Sequence, residues 1–127
     1  MELKLPKNCG NSPKSELVKN LTVHFAAYEL NQVFQFLDDN ISWTLVGNTP
    51  ISGKAAFKSA LENMSGNKVA KLTINGIVTH GKEAAVHGEM TMEDGGVFGF
   101  ADFYGFTSAK GIKVKAITSY VIQKTQN

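Results

Sequence analysis

The chain contains no arginine: all 13 of its lysine-or-arginine positions are lysine. Arginine supplies the two-pronged fork that grips phosphates, carboxylates and guanine edges. Its absence, with lysines scattered rather than gathered into a stripe, argues against nucleic-acid or nucleotide sites. The lysines read as solvated surface. Cysteine is nearly absent too. Lone Cys9 has no partner for an internal disulfide, which fits a reducing, cytoplasmic compartment. No base stands near it in sequence, so it is a poor nucleophile.

No apolar run approaches the roughly 20 residues of a membrane span. The start, Met1 to Lys7, lacks the apolar stretch of a secretion signal. No Gly-rich phosphate loop and no Gly-x-Ser-x-Gly elbow is present. His24, His80, His87, Cys9 and the acids do not fall at metal-ligand spacing. The expectation is therefore no cofactor, no metal, no nucleic-acid partner and no membrane.

What is there has the length of one domain. Residues 1–11 are polar, with Pro6 and Gly10, and read as a loose tail. Residues 12–127 read as a single domain. Ser12-Pro13 is an N-cap followed by Pro in the first helical position. Leu17, Leu21, His24, Phe25 and Tyr28 then recur at helical spacing, beside Val18. Asn31 opens a second, short helix with Val33, Phe34 and Leu37 on one side, stopped by Asp38-Asp39-Asn40. Ile41 to Val46 is a strand. Gly47 to Pro50 is a turn. Ser52 caps a third helix whose stripe is Phe57, Ala60, Leu61 and Met64, with Gly66 as its C-cap.

From Val69 the period changes to two. Leu72, Ile74 and Val78 share a face, and His80-Gly81-Lys82 turns the chain. Val86, Gly88, Met90 and Met92 face one way, with His87 and Glu89 opposite. Glu93 to Gly96 turns again. Phe98, Phe100, Asp102, Tyr104 and Phe106 share one face of a long strand. After Ser108 to Gly111, the residues Val114, Ala116, Thr118 and Tyr120 alternate with Lys113, Lys115, Ile117 and Ser119. Consecutive strands joined by short turns give an antiparallel meander. The pattern predicts an α+β fold: a cone-shaped, curved antiparallel sheet, one short strand plus a four-strand meander, packed against three N-terminal helices.

Asp102 is the residue out of place. A carboxylate on an aromatic, inward strand face is costly to bury unless it keeps its proton or finds donors. Such a group serves as a general acid or base, or as a neutral acid that donates to a ligand carbonyl. It serves equally as a structural group tied to a hydroxyl, an amide or water. Phe98, Phe100, Tyr104 and Phe106 are either a clamp for a flat apolar ligand or plain core. Tyr104 and Tyr120 each carry a hydroxyl that wants a partner when buried. Met90 fits an adaptable apolar wall. His24, on the apolar face of the first helix, is either a satisfied core histidine or a pocket residue.

Three patches together resemble the NTF2-like superfamily, in its SnoaL-like and ketosteroid-isomerase-like branch. They are Phe36 to Trp43, reading F-x-D-D-x-x-x-W; Gly47 to Phe57; and Phe100 to Phe106 with Ile112 to Tyr120. The resemblance spans about Ser12 to Gln123. It implies a cone-shaped barrel with a pocket for a small apolar molecule, and a homodimer through the sheet's outer face. Ala85, Ala101 and Ile117 are assigned to that face. It implies that Asp102 matches the aspartate that holds the substrate oxygen in ketosteroid isomerases. Thr44 stands at the isomerase's base position, where a hydroxyl cannot take up the proton. Asn20 stands at its helix-1 tyrosine, with Tyr28 able to approach from further along. The candidate site is therefore Asp102 as acid or base, with Tyr104, Phe100, Phe106, Tyr120, Met90, Thr44, Tyr28 and His24 around the ligand. Two functions fit: an isomerase, cyclase or dehydratase, or a non-catalytic binding or dimerisation module.

Overall fold

A computed structural model of the chain describes residues 1–7, 12–110 and 113–125. The expectations for Cys9, Gly10, Gly111 and Ile112 lie outside the described residues.

One helix begins where the sequence signals it. Ser12 caps α1 (Pro13–Ala26), its side chain accepting from the Ser15 amide at 3.2 Å, with Pro13 in the first turn. The helix ends in a Schellman turn. The Glu29 amide bonds the His24 carbonyl at 2.9 Å, and the Tyr28 amide bonds Phe25 at 3.1 Å. The left-handed position of that turn usually belongs to glycine, yet here Tyr28 holds it at φ 56°. The buried face of α1 runs through Ser15, Val18, Leu21 and Thr22, one step round from the stripe that included Leu17 and His24.

The expected second helix is absent. Leu30–Gln32 and Phe34–Phe36 are two 3₁₀ turns, and Asp38-Asp39-Asn40 lie inside strand β2 (Leu37–Leu45) rather than ending a helix. The seven residues from Asn31 to Leu37 are too few to nucleate a stable α-helix. The described residues thus hold two α-helices, not three. The second, α2 (Lys54–Met64), starts from Gly53 instead of Ser52, which belongs to the two-residue strand β3 (Ile51–Ser52). Its C-cap is Ser65, not Gly66. Phe57 and Leu61 carry its buried stripe, while Met64 is exposed at its end.

The strands form one sheet. After β1 (Glu2–Lys4) come β2 and β3, then β4 (Val69–His80), β5 (Glu83–Met92), β6 (Val97–Phe106) and β7 (Val114–Gln123). Among the described residues the seven stand in the order β1-β4-β5-β6-β7-β2-β3. The supposed tail is thus partly a strand: Glu2–Lys4 pairs in parallel with Lys71 to Thr73 and gives that edge backbone partners. β4 to β7 form the antiparallel meander, and β2 joins β7 in parallel. The fold is α+β, with a curved, unclosed sheet and helices over its concave side.

Register shifts break the strict period of two, and two of them reverse faces assigned from the alternation. In β4, Ile74 pairs with Gly88 but Gly76 pairs with His87, leaving Asn75 as an extra residue. In β7, Val114 pairs with Phe106 but Ala116 pairs with Gly105, leaving Lys115 extra. Each bulge flips the face of everything beyond it. Val78 is therefore 68% exposed, and Ile77 packs on the core instead. Beyond Lys115, Ile117 and Ser119 are buried and Tyr120 is not. Gly88 matches its place, because a Cβ there would lie 1.9 Å from the Thr73 carbonyl oxygen.

Candidate functional site

The concave face is filled at one end and hollow at the other. The filled end holds Val18, Leu37, Ile41, Phe106 and Val114, all at 0% exposure. The hollow end is a cavity of about 290 Å³. α1 contributes Thr22, Phe25 and Ala26 to its wall, and the turn after it contributes Tyr28. α2 contributes Phe57, Leu61 and Met64, and the sheet supplies Trp43, Met90, Phe98 and Phe100. The aromatic wall is interlocked. Phe57 meets Phe25 edge-on at 5.6 Å and Trp43 edge-on at 5.3 Å between centroids.

Asp102 opens onto this cavity from the middle of β6. Directly across the strand pair stands Ser119. Burial pushes the Asp102 carboxyl up to about 6, against a hydrogen bond with Ser119 that holds it lower. Ser119 is the side chain whose hydrogen bond opposes that rise. Ser119 is itself held by the Trp43 indole, whose Nε1–H donates to its Oγ at 3.0 Å. Tyr104 lies two residues on. Burial, with the Asp102 charge beside it, pushes its phenol well above the ordinary range. Its hydroxyl is 3.4 Å from Thr22 Oγ1 on α1.

Of the residues singled out from sequence, Asp102, Tyr104, Phe100, Met90 and Tyr28 line the cavity together. Four do not. Tyr120 points to the outer face, 46% exposed and edge-on to Phe103 at 5.9 Å, because the Lys115 bulge reverses that strand. The same bulge brings Ile117, expected outside, into the cavity wall. Phe106 is sealed in the filled end, stacked on Tyr104 at 6.3 Å. Thr44 lies between Trp43 and Leu45, both cavity residues, and so faces away. His24 sits at the partly exposed end of α1, its Nδ1 3.3 Å from Glu29. Asn20 is exposed, and Thr22 is the α1 residue that meets Tyr104.

The sequence reading missed Trp43, Phe57, Thr22 and Ser119 as site residues. Trp43 and Phe57 stood out as motif and core residues. Ser119 had no local signal: it became visible only once the bulge set the register opposite Asp102. Among the described residues no group of three or more His, Cys, Asp and Glu could hold a metal ion. No helix there is long and apolar enough to cross a membrane.

No family model matches the chain, and no curated protein sequence matches it. Solved structures do. An NTF2-like protein of unknown function from Cytophaga hutchinsonii is 23% identical, with a TM-score of 0.64 over 84% of this chain and 97% of that one. A candidate SnoaL-like polyketide cyclase from Shewanella putrefaciens is 8% identical, with a TM-score of 0.73 over 87% and 90%. An LEH-like epoxide hydrolase of M. tuberculosis is 15% identical, with a TM-score of 0.69 over 84% and 80%.

Proposed function

Taking the NTF2-like fold of this chain as the premise, we propose an enzyme that binds a small, largely apolar, oxygen-bearing compound in the cavity and moves a proton with Asp102. The reaction class is that of an isomerase, cyclase or dehydratase. One observation carries this reading: the Asp102 carboxyl opens onto an apolar cavity beside its partner Ser119 and is pushed up to about 6. A carboxyl that titrates near neutrality can both take and return a proton at the working pH. Ser119 orients it from one side, leaving the cavity side for the compound. Phe57, Phe98, Phe100 and Met90 would bury the apolar body and exclude water. The likeness to cyclase-like and epoxide-hydrolase-like proteins supports the fold's suitability, not a particular substrate.

A second reading has its own support. Among the described residues no His, Lys or Glu lines the cavity, and proton shuttling usually enlists a second titratable group. On that reading the cavity only binds. The two separate in D2O with a panel of small alicyclic ketones and β-hydroxy ketones followed by NMR. Catalysis predicts deuterium uptake or loss of water that disappears in Asp102→Asn. Saturable binding with turnover at the buffer rate across the panel would leave the binder alone.

A homodimer through the outer face of the sheet belongs to the same proposal. Exposed Phe103 and Tyr120 form an edge-on pair there, beside Ala101. Light scattering should give twice the 13.8 kDa chain mass; a monomeric mass removes the dimer. A cytoplasmic site of action, free of nucleic acid and membrane, completes the proposal.

A further inference from the structure

Among the described residues the cavity wall carries five side chains with a hydroxyl or indole hydrogen: Thr22, Tyr28, Trp43, Tyr104 and Ser119. Each of these hydrogens has a partner inside the protein. Thr22 Oγ1 donates to the Val18 carbonyl at 2.8 Å. Its hydrogen is then unavailable to Tyr104, so in their 3.4 Å contact Tyr104 is the donor. Trp43 Nε1–H donates to Ser119 Oγ at 3.0 Å. Ser119 accepts there and directs its own hydrogen to the Asp102 carboxylate. Tyr28 donates to the Asn67 carbonyl at 3.3 Å. Among the described residues the carboxamide of Asn67 is the remaining side-chain donor of the wall, and it lies in an exposed residue outside the strands.

Lone pairs are what this arrangement leaves at the polar floor: the cavity side of the Asp102 carboxylate and the phenolic oxygen of Tyr104. A ketone or ether placed there would set lone pairs against lone pairs and leave buried acceptors unmatched. A hydroxyl would supply the missing hydrogen. We infer that the cavity selects a hydroxyl compound, an apolar body with one hydrogen-bond donor, over the matching ketone or ether. This inference rests on the cavity being a binding site and goes further by naming the polar group that site takes.

Trp43 is the one tryptophan of the chain and lines the cavity, so its emission reports occupancy. The probes are 4-tert-butylcyclohexanol, its ketone 4-tert-butylcyclohexanone and its methyl ether, titrated at about pH 8, where Asp102 is ionised. The alcohol should bind about tenfold more tightly than either analogue, or better. Asp102→Asn places a carboxamide at the floor, whose N–H₂ can serve the ketone, and should reverse the order. Equal or tighter binding of the ketone to the unaltered protein overturns the hydroxyl preference and leaves the binding site standing. Retention of the full alcohol preference in Asp102→Asn overturns it too, because the preference would then arise elsewhere. Failure of all three probes to bind removes the binding site and the preference with it.

Discussion

The two ends of strand β6 carry the same kind of residue on the same face, yet one end is solid and the other hollow. At the C-terminal end Phe106 is fully buried against Tyr104, with Leu37, Ile41 and Val114 also at 0% exposure. At the N-terminal end Phe98 and Phe100 face open space, and Asp102 sits at the boundary. The difference comes from what covers the sheet. Leu30 and Val33, from the 3₁₀ turns that follow α1, are buried in the core. Over the hollow end, α1 and α2 touch through the edges of Phe25 and Phe57 and leave a gap beneath. An aromatic strand face is therefore not by itself core or site. The element laid across it decides.

The sharpest test of that contrast compares two deletions of the same ring. Phe106→Ala should cost about 3–5 kcal/mol in urea unfolding, because it opens a void in close-packed surroundings. Phe98→Ala, at a half-buried cavity wall, should cost about 1–2 kcal/mol, because it widens a space that already exists. Equal costs would erase the distinction between the two ends.

Asp102→Asn comes next in size. The folded carboxyl titrates at about 6, above its unfolded range, so the folded state favours the protonated form. Its contribution is fully present below about pH 4 and is lost as pH rises through 6. The neutral amide escapes that loss. Asp102→Asn should thus stabilise the protein at about pH 8 by roughly 2 kcal/mol, and the gain should vanish near pH 4. A destabilised variant at pH 8 would mean that the carboxylate is held by the fold rather than strained in it.

A smaller effect is expected from Ser119→Ala. It removes a hydrogen bond that holds the Asp102 carboxyl down, so the midpoint should move above 6. The fold should survive, because Ser119 is a single buried hydroxyl at the cavity rather than part of the solid end. An unmoved midpoint would break the link between the two side chains.

Much of this architecture was legible in the residues. The cap at Ser12, the change of period at Val69 and the inward run of β6 follow from local rules that hold wherever backbone geometry dominates. The losses are equally specific. Tyr120 and Ile117 were assigned to the wrong faces because Lys115 inserts a bulge that alternation cannot register. Asn31 to Leu37 read as a helix because apolar spacing does not distinguish an α-turn from two 3₁₀ turns. Asp102 announced itself as a carboxylate among aromatics. Its partner Ser119 did not, since an isolated serine in a strand carries no mark until pairing brings it across from an acid.

¹³C NMR of the Asp102 carboxyl across a pH series observes its protonation state directly. The Asp102 side-chain carbon should titrate with a midpoint of about 6. A midpoint below about 4, the range of an ordinary solvated aspartate, would contradict the buried acid at the cavity floor and with it the proton-transfer reading.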